Sequence, residues 1–527
     1  MINSNNFINN FFSSILFSIF MICSSCKNEI KSPINFSNII PVDVAPDIQE
    51  KLKMNNDNFY YLNKEFNKFS WQSFIAIFWP LNPKGEPLNN FTDKGNARWT
   101  SWKEAYEVFK CDGEIPDKRW GSERSSHRCI LPDKKIKIDK IDRLYLESKT
   151  PAHKGGLKNF ADEENQAFAG KLYDQNGNKI YYEALMNKVE FDYIMSNKLY
   201  NINGQIEFAG KKNQIANFPW GDYKANTPGS IEIKIAWKIL LDTDLKERYF
   251  SSYGYIPDDS GKEYIKVELG MIGLHIGQKT PTTKQWVWST FEHIDNLSQN
   301  TIQKDGKELV IKPSLTNPNC ELCPVNLNIV DSDGKPSSVI FNKNKHSNYW
   351  TIKGDKSKTK YYADSEVFKT QAKRIIDIPN RVQQINQEIQ SYLKSIGSVF
   401  QYYKLIDTQY PTNQEVPPGN NSEDGYTLPE SVANKTGGNP NLAYLTNITM
   451  ETFFQKGNQP ATHLIETMPK SDITIYGSES CMGCHSSAPI YNGIDEKGNY
   501  TTKDQLSGDF SWLLQRAEWN QKMLNPN

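Results

Sequence analysis

Two cysteines and a histidine stand close together near the end of the 527-residue chain, in the run Cys481-Met482-Gly483-Cys484-His485. In a C-x-x-C-H run, both thiols can add to the vinyl groups of one haem, and the adjacent imidazole can bind the iron. Two intervening residues on one helical turn set both sulfurs along one edge of the flat ring. The run therefore predicts covalent attachment of one haem through Cys481 and Cys484, with His485 as an axial iron ligand.

A disulfide, or half of a zinc site, would also use a C-x-x-C pair. A four-ligand zinc site needs a second pair of thiols or imidazoles at short spacing. Cys484 is the last cysteine of the chain and His485 is its last histidine, so no second pair follows. The run favours haem over zinc.

Charge and composition exclude some classes of partner. The chain holds 61 Lys and Arg residues against 61 Asp and Glu residues, so no net charge draws it to nucleic acid or to an anionic membrane surface. Aromatic residues make up 12% of the chain, which favours a packed, β-rich protein. Beyond residue 30 the sequence has no run of about 20 apolar residues, the length that a membrane-spanning helix needs.

The N-terminus has the features of an export signal. The apolar run FFSSILFSIFMIC at 11–23 has the length of a signal-peptide core and is too short to span a membrane. Small residues then precede Cys26, which resembles the lipobox of bacterial lipoproteins, in which the cysteine is lipidated. We expect a signal peptide at 1–25, lipidation of Cys26, and a periplasmic or outer-membrane-anchored protein. An ordinary secretory signal is the alternative, because MINSNNFINN contains no Lys or Arg.

Composition divides the rest of the chain. Residues 26–58 are polar and interrupted by proline, which indicates a tether. Residues 59–414 contain an aromatic run with helical spacing at 69–80 and then short alternating or apolar segments, which predict an antiparallel sheet with flanking helices. Residues 415–440 are rich in Pro, Gly and Asn and are expected to form a linker or long loop. The fold class is therefore α+β, with a β-rich body and a small helical module at 441–527.

That C-terminal module is expected to contain three helical pieces. Asn441 precedes an apolar helical pattern, and the C-x-x-C-H run forms a turn. Asp509 precedes a third pattern, whose apolar residues at helical spacing are Phe510, Leu513, Leu514 and Ala517. This order resembles the helix-and-haem arrangement of cytochromes c.

Four further segments resemble parts of large bacterial proteins of the cytochrome c family. They are HIGQKT at 275–280, QWVWSTFEH at 285–293, LTNITMETF at 445–453 and DFSWLL at 509–514. The resemblance implies one covalent haem c in an exported protein.

The second axial ligand of the iron is left open. Small cytochromes c use a methionine between the haem motif and the C-terminal helix, whereas the only methionine after His485 is Met523, beyond that predicted helix. A ligand outside 486–527 is therefore expected. The candidates are Met450, His463, Met468, His275 and His293, with Met523 as the exception to this expectation.

Other residues could do chemistry of their own. His275, Lys279, Glu292 and His293 lie in one predicted hairpin and could form a metal or acid–base site, or the histidines could be hydrogen-bonded core residues. Trp286 and Trp288 are two residues apart and face one side of a strand, where they pack a sheet or relay electrons.

Four body cysteines remain, and one pair of them forms a second C-x-x-C without a following histidine. In an exported protein a structural disulfide is favoured over a thiol pair. Proximity in the sequence pairs Cys111 with Cys129 and Cys320 with Cys323.

Two functions remain open on these observations. The first is an electron-transfer protein with one haem c that exchanges electrons with a redox partner protein or a small molecule. The second is a haem enzyme of the peroxidase or oxygenase type, whose large body supplies a pocket at an open iron position. The number of protein ligands on the iron separates them, because two ligands leave no position for a substrate.

Overall fold

A computed structural model describes part of the chain, in the ranges 31–53, 59–110, 112–118, 120, 143–144, 172–211, 214–257, 264–282, 286–319, 325–326, 339–341, 350–352, 370–410, 445–452, 481–485, 488–503, 507–520 and 522. The expected signal peptide and linker lie outside the described residues. So do the candidates Cys26, Cys111, Cys129, Cys320, Cys323, His463, Met468 and Met523.

The described chain contains helices before, between and after its strands, and they are numbered here in chain order. The helices are α1 (Pro46–Lys53), α2 (Phe59–Ile77), α3 (Ala105–Val108), α4 (Lys188–Ser196), α5 (Ile202–Ala209), α6 (Asn380–Ser395) and α7 (Cys481–His485). The strands are β1 (Pro80–Leu81), β2 (Asn96–Ala97), β3 (Lys103–Glu104), β4 (Arg143–Leu144), β5 (Tyr181–Met186), β6 (Gly221–Asp222), β7 (Thr227–Pro228), β8 (Ile231–Ile239), β9 (Ser251–Pro257), β10 (Tyr264–Lys279), β11 (Trp286–His293), β12 (Asn300–Lys304), β13 (Lys307–Ile311), β14 (Val339–Phe341), β15 (Trp350–Ile352), β16 (Tyr403–Gln409), β17 (Tyr491–Ile494) and β18 (Tyr500–Thr502).

One large sheet organises these strands. Its order is β16-β11-β10-β8-β5-β3, and β9 adds to β10. Neighbouring strands are antiparallel throughout, except that β4 runs parallel to β9. The predicted α+β class with an antiparallel, β-rich body is confirmed.

One face of this sheet is apolar and carries two helices. Leu274 and Ile276 of β10 and Ile233 of β8 belong to the same buried cluster as Trp71 and Phe74 of α2. The helical spacing predicted for the aromatic run is confirmed, because the first part of that run lies in α2. Helix α6 begins directly after Pro379, because proline is tolerated at a helix start but not in its interior. Apolar residues of α6 belong to the same cluster.

The opposite face of the sheet is more polar, and we call it the site face. Its central residues are cross-strand partners, which project to the same side: His275 pairs with Lys234 and Thr290, and Gly277 pairs with Glu232 and Trp288. Residues from the C-terminal part of the chain cover this face. The Asn447 amide, for example, donates hydrogen bonds to the Thr290 hydroxyl at 2.8 Å and to the Phe291 carbonyl at 2.9 Å.

The described part of 441–527 differs from the expected set of helices. It contains one short helix, α7, and the hairpin β17–β18, and a 3-10 turn at Trp512–Arg516 replaces the predicted third helix. Asp509 and Phe510 have φ angles of 50° and 63°, in the left-handed region, so they cannot begin a right-handed helix. Their carbonyls instead accept hydrogen bonds from the side chains of Trp286 and His485.

Both ends of the described chain share the core of the body. Cys481 and Met482 lie in one buried cluster with residues of α2 and β11. The segment 31–53, expected to belong to a tether, also packs on the body, because Ile40 and Val44 lie in its buried clusters. The Asp43 carboxylate accepts hydrogen bonds from the Thr282 backbone at 2.8 Å and from its hydroxyl at 2.6 Å. Of the described helices, none combines the length and the apolar character needed to cross a membrane.

The buried ion pair between Arg248 and Asp295 offers a test of the fold. The guanidinium donates to both carboxylate oxygens at 2.7 Å, and the two side chains are 7% and 0% exposed. Arg248→Met leaves a buried carboxylate without its cation, so we expect the free energy of unfolding to fall by about 3–5 kcal/mol in urea denaturation. Lys198→Met breaks the exposed pair with Glu207 and should cost less than about 1 kcal/mol. Equal losses in both variants would contradict this account.

Candidate haem site

The two motif cysteines lie on α7, which is docked against the end of the sheet. The backbone N–H of Met482 donates to the side-chain carbonyl of Gln409, in β16, at 2.9 Å. Cys481 is buried with its sulfur 3.8 Å from the Leu445 carbonyl oxygen. Cys481 and Cys484 are both reduced thiols in the structure. Burial, Glu451 and Cys484 raise the pKa of the Cys481 thiol well above its usual range, so this thiol is protonated.

His485 is held in one tautomer by the backbone. Its Nδ1 atom lies 2.6 Å from the carbonyl oxygen of Phe510. A carbonyl can only accept a hydrogen bond, so Nδ1 carries the proton and Nε2 carries the lone pair. Burial lowers the pKa of His485 to about 3. At neutral pH the imidazole is therefore uncharged, and its Nε2 is the atom able to bind a metal.

An aromatic ring of the sheet packs against this imidazole. The ring centroids of Trp288 and His485 are 4.1 Å apart, with the planes tilted by 47°. Trp286 lies beside Trp288 at 5.9 Å, so the two rings share one side of β11 as predicted. The His485 side chain remains 23% exposed.

The loop that carries the Phe510 carbonyl is anchored by a buried ion pair. Lys279 Nζ, at the end of β10, lies 2.5 Å from the Asp509 carboxylate, and both side chains are fully buried. The Asp509 carboxylate also accepts from the Phe218 N–H at 2.6 Å, and its backbone carbonyl accepts from the Trp286 indole at 2.7 Å. Burial raises the pKa of Asp509 to about 6, which still leaves it ionised beside Lys279 at neutral pH. Three fixed donors therefore hold the left-handed backbone at 509–510.

Two further buried carboxyl groups, Glu232 and Glu190, interact electrostatically with each other and with Asp509. Glu232 accepts a hydrogen bond from the Ser511 hydroxyl at 3.0 Å, and its other oxygen is 3.9 Å from His485 Nδ1. Burial raises the pKa of Glu232 to about 8. Glu190 is fully buried, and neither of its carboxyl oxygens has a hydrogen-bond partner among the described residues. These groups gave no local sequence signal, because their neighbours in the fold come from distant parts of the chain.

The four polar residues of the predicted β10–β11 hairpin do not converge on one site. Lys279 pairs with Asp509, and Glu292 accepts from the Arg374 guanidinium and from the Ile448 N–H. His275 and His293 project from opposite faces, because Thr290 is the partner of His275 and lies three residues from His293. The described part of the chain contains no cluster of three or more His, Cys, Asp or Glu residues arranged to hold a metal ion.

The two hairpin histidines also differ in their hydrogen bonds. His293 donates from Nε2 to the Arg248 carbonyl at 3.0 Å, accepts at Nδ1 from the Asp295 N–H at 3.1 Å, and stacks on Tyr249. His275 is buried, and its Nε2 has no hydrogen-bond partner in the described chain, although a Glu451 oxygen lies 3.4 Å away. Met450 is buried in an apolar cluster with Ile272.

Glu190 predicts a measurable dependence of stability on pH. Burial and the neighbouring Glu232 raise its pKa well above the ordinary value of 4.5. The folded protein therefore keeps a proton that the unfolded chain loses, and stability falls as the pH rises above that value. In Glu190→Gln this contribution is absent, so the stability of the variant relative to wild type should increase with pH above about pH 5, by at most about 1.4 kcal/mol per pH unit. Urea denaturation at several pH values measures this difference.

The control for Glu190→Gln is the exposed residue Glu207, whose side chain is 57% exposed. Glu207→Gln should give a stability curve parallel to that of the wild type. A Glu190→Gln curve that is also parallel would show that Glu190 ionises in the folded protein.

Comparison of the chain with protein-family models, with curated proteins and with solved structures gave no match.

Proposed function

We propose that this protein is an exported, lipid-anchored c-type cytochrome that binds one covalent haem and transfers electrons in the cell envelope. The haem-binding part is the segment 441–527, and the electron partner is a redox protein or a small-molecule donor or acceptor. The observation that carries the proposal is the hydrogen bond from His485 Nδ1 to the Phe510 carbonyl, because it leaves the Nε2 lone pair available for iron.

The donor set fits a haem c. Two thiols and one neutral imidazole lie within the five residues of α7. Each thiol would add its sulfur to one carbon of a haem vinyl group and its proton to the other carbon, so attachment would require no oxidant. His485 would bind the iron through Nε2, and the iron would supply one-electron chemistry between its ferrous and ferric states. The Phe510 carbonyl fixes the direction of the imidazole, and Trp288 limits its rotation.

Exclusion of water is the other contribution of the protein. Trp288 and Phe510 are buried, and Trp512 donates from its indole to the Cys484 carbonyl at 3.1 Å. A low-dielectric surrounding reduces the solvent reorganisation that accompanies a change of charge. Exclusion of water therefore supports electron transfer.

A haem enzyme of the peroxidase or oxygenase type is the second candidate function. Its support is the approach of His275 Nε2 to the Glu451 carboxylate at 3.4 Å, since an imidazole and a carboxylate can act as a proton acceptor and donor. This function requires an iron position that no protein side chain occupies.

Covalent haem is tested with a double variant. Wild-type protein exported from a bacterium that attaches haem c should keep its haem through denaturing electrophoresis and give a pyridine haemochrome of the thioether type. Cys481→Ala/Cys484→Ala should lose both signals, because no thiol remains to form the thioether bonds. The matched control is Cys320→Ala/Cys323→Ala, which removes the C-x-x-C pair without a histidine and should retain the haem. Covalent haem in the first double variant would refute the assignment.

The lipid anchor is tested by labelling. Radiolabelled fatty acid should enter the wild-type protein during growth and should be absent from Cys26→Ala, because that thiol is the expected site of lipidation. Cys23→Ala is the control and should remain labelled. Label that persists in Cys26→Ala and disappears in Cys23→Ala would move the anchor to Cys23.

A further inference from the structure

We propose that the Nε2 atom of His275 supplies the second axial ligand of the haem iron whose first ligand is His485. This inference rests on the proposed function and names the residue that completes the iron coordination.

The sheet presents His275 next to the residue that supports His485. His275 and Gly277 are two residues apart on β10 and project to the same side of the sheet. Gly277 pairs with Trp288, whose ring contacts the His485 ring at a centroid distance of 4.1 Å. The two histidines therefore belong to one site on the site face.

Two glycines on the same side of β10, Gly273 and Gly277, flank His275 and are closely covered by other residues. A Cβ atom at Gly277 would lie 2.9 Å from the Trp288 ring, and one at Gly273 would lie 2.0 Å from the Thr449 hydroxyl. Any larger residue would push back Trp288 on one side or the 445–452 segment on the other. The absence of side chains at these glycines thus lets the Trp288 ring and Thr449 approach the sheet on either side of His275.

His275 has a ring nitrogen without a hydrogen-bond partner among the described residues, as a histidine that binds a metal requires. Its side chain is 10% exposed, and its Nε2 has no hydrogen-bond partner in the described chain. A buried nitrogen without a partner is unfavourable, so native proteins rarely keep one unless it has a role. A carboxylate oxygen of Glu451 stands 3.4 Å away, and the same oxygen accepts a hydrogen bond from the Asn447 N–H at 2.8 Å.

The other described candidates are less suited to bind the iron. His293 uses both ring nitrogens in hydrogen bonds and projects from the apolar face of the sheet. Met450 is packed in the apolar cluster that contains Ile180 and Ile272. Among the candidates that the structure describes, His275 is the one whose donor atom is buried on the site face without a partner.

Two imidazole ligands would close both axial positions of the iron. Substrates such as peroxide or oxygen would then have no position to bind, and the site would carry electrons only. The identity of the second ligand therefore decides between the two candidate functions.

The test uses the full-length exported protein and two measurements on each sample. The pyridine haemochrome reports covalent haem whatever the axial ligands are, so it tests the proposed function separately. Near-infrared magnetic circular dichroism and electron paramagnetic resonance of the ferric protein report the axial ligands. We expect thioether-linked haem, a low-spin spectrum of the two-imidazole type, and no methionine band.

Variants then assign the ligand. In His275→Ala the ferric haem should become high-spin, and added imidazole should restore the low-spin spectrum. In His275→Met a methionine band should replace the imidazole signature. Met450→Leu keeps the volume of the side chain and is the control, which should leave the spectrum unchanged.

Several outcomes would overturn the inference while leaving the proposed function intact. A wild-type spectrum that is high-spin or of the methionine type would exclude His275 as the ligand, even if the variants failed to fold. An unchanged low-spin spectrum in His275→Ala would assign the ligand to another residue. Absence of thioether-linked haem from the wild-type protein would refute both the inference and the proposed function.

Discussion

The hydrogen bond between His485 Nδ1 and the Phe510 carbonyl determines what the C-terminal part of this protein can do. It fixes the tautomer of the imidazole and leaves the lone pair on Nε2. The bond depends on a backbone in the left-handed region at 509 and 510, which is unfavourable for residues with a side chain. The surrounding structure must therefore enforce that conformation.

The enforcement comes from the sheet. Lys279 contacts the Asp509 carboxylate, and the Trp286 indole donates a hydrogen bond to the Asp509 carbonyl. One end of the β10–β11 pair therefore fixes the position of the residue before Phe510. A buried ion pair of this kind stabilises little by itself, because both charges lose their hydration. Loss of one partner, however, would leave an uncompensated buried charge. The pair is thus better understood as a device that specifies one loop conformation than as a source of stability.

The sequence was sufficient to predict the α+β class and the antiparallel, β-rich body, but not the structure of the C-terminal part. Short alternating or apolar segments predicted the antiparallel sheet, and helical spacing predicted α2. Strands β8 and β11 are in fact buried on both faces, because the C-terminal segments cover the side of the sheet opposite the helices. Spacing failed at 510–517, where the apolar residues are buried by a 3-10 turn and the preceding backbone is fixed by tertiary hydrogen bonds. The partnership of Lys279 with Asp509 was not predictable either, since 230 residues separate them. Cys481, Cys484 and His485 could be predicted as a candidate site from the sequence, because the proposed haem chemistry requires short spacing.

The proposed site combines a local motif with a strand that is distant in the sequence. This combination implies an order in which the parts of the site form during folding. The two thiols and His485 are contiguous, so they can meet a haem before any long-range contact forms. His275 and Trp288 come into position only when β10 and β11 have paired and the C-terminal segments cover the site face. Contacts between residues so far apart in sequence form late, because closing a long loop costs entropy before the contact compensates for it. Attachment through the thiols would therefore precede completion of the iron coordination, and a bound haem would in turn stabilise the covered sheet, since it binds the folded state in preference to the unfolded one.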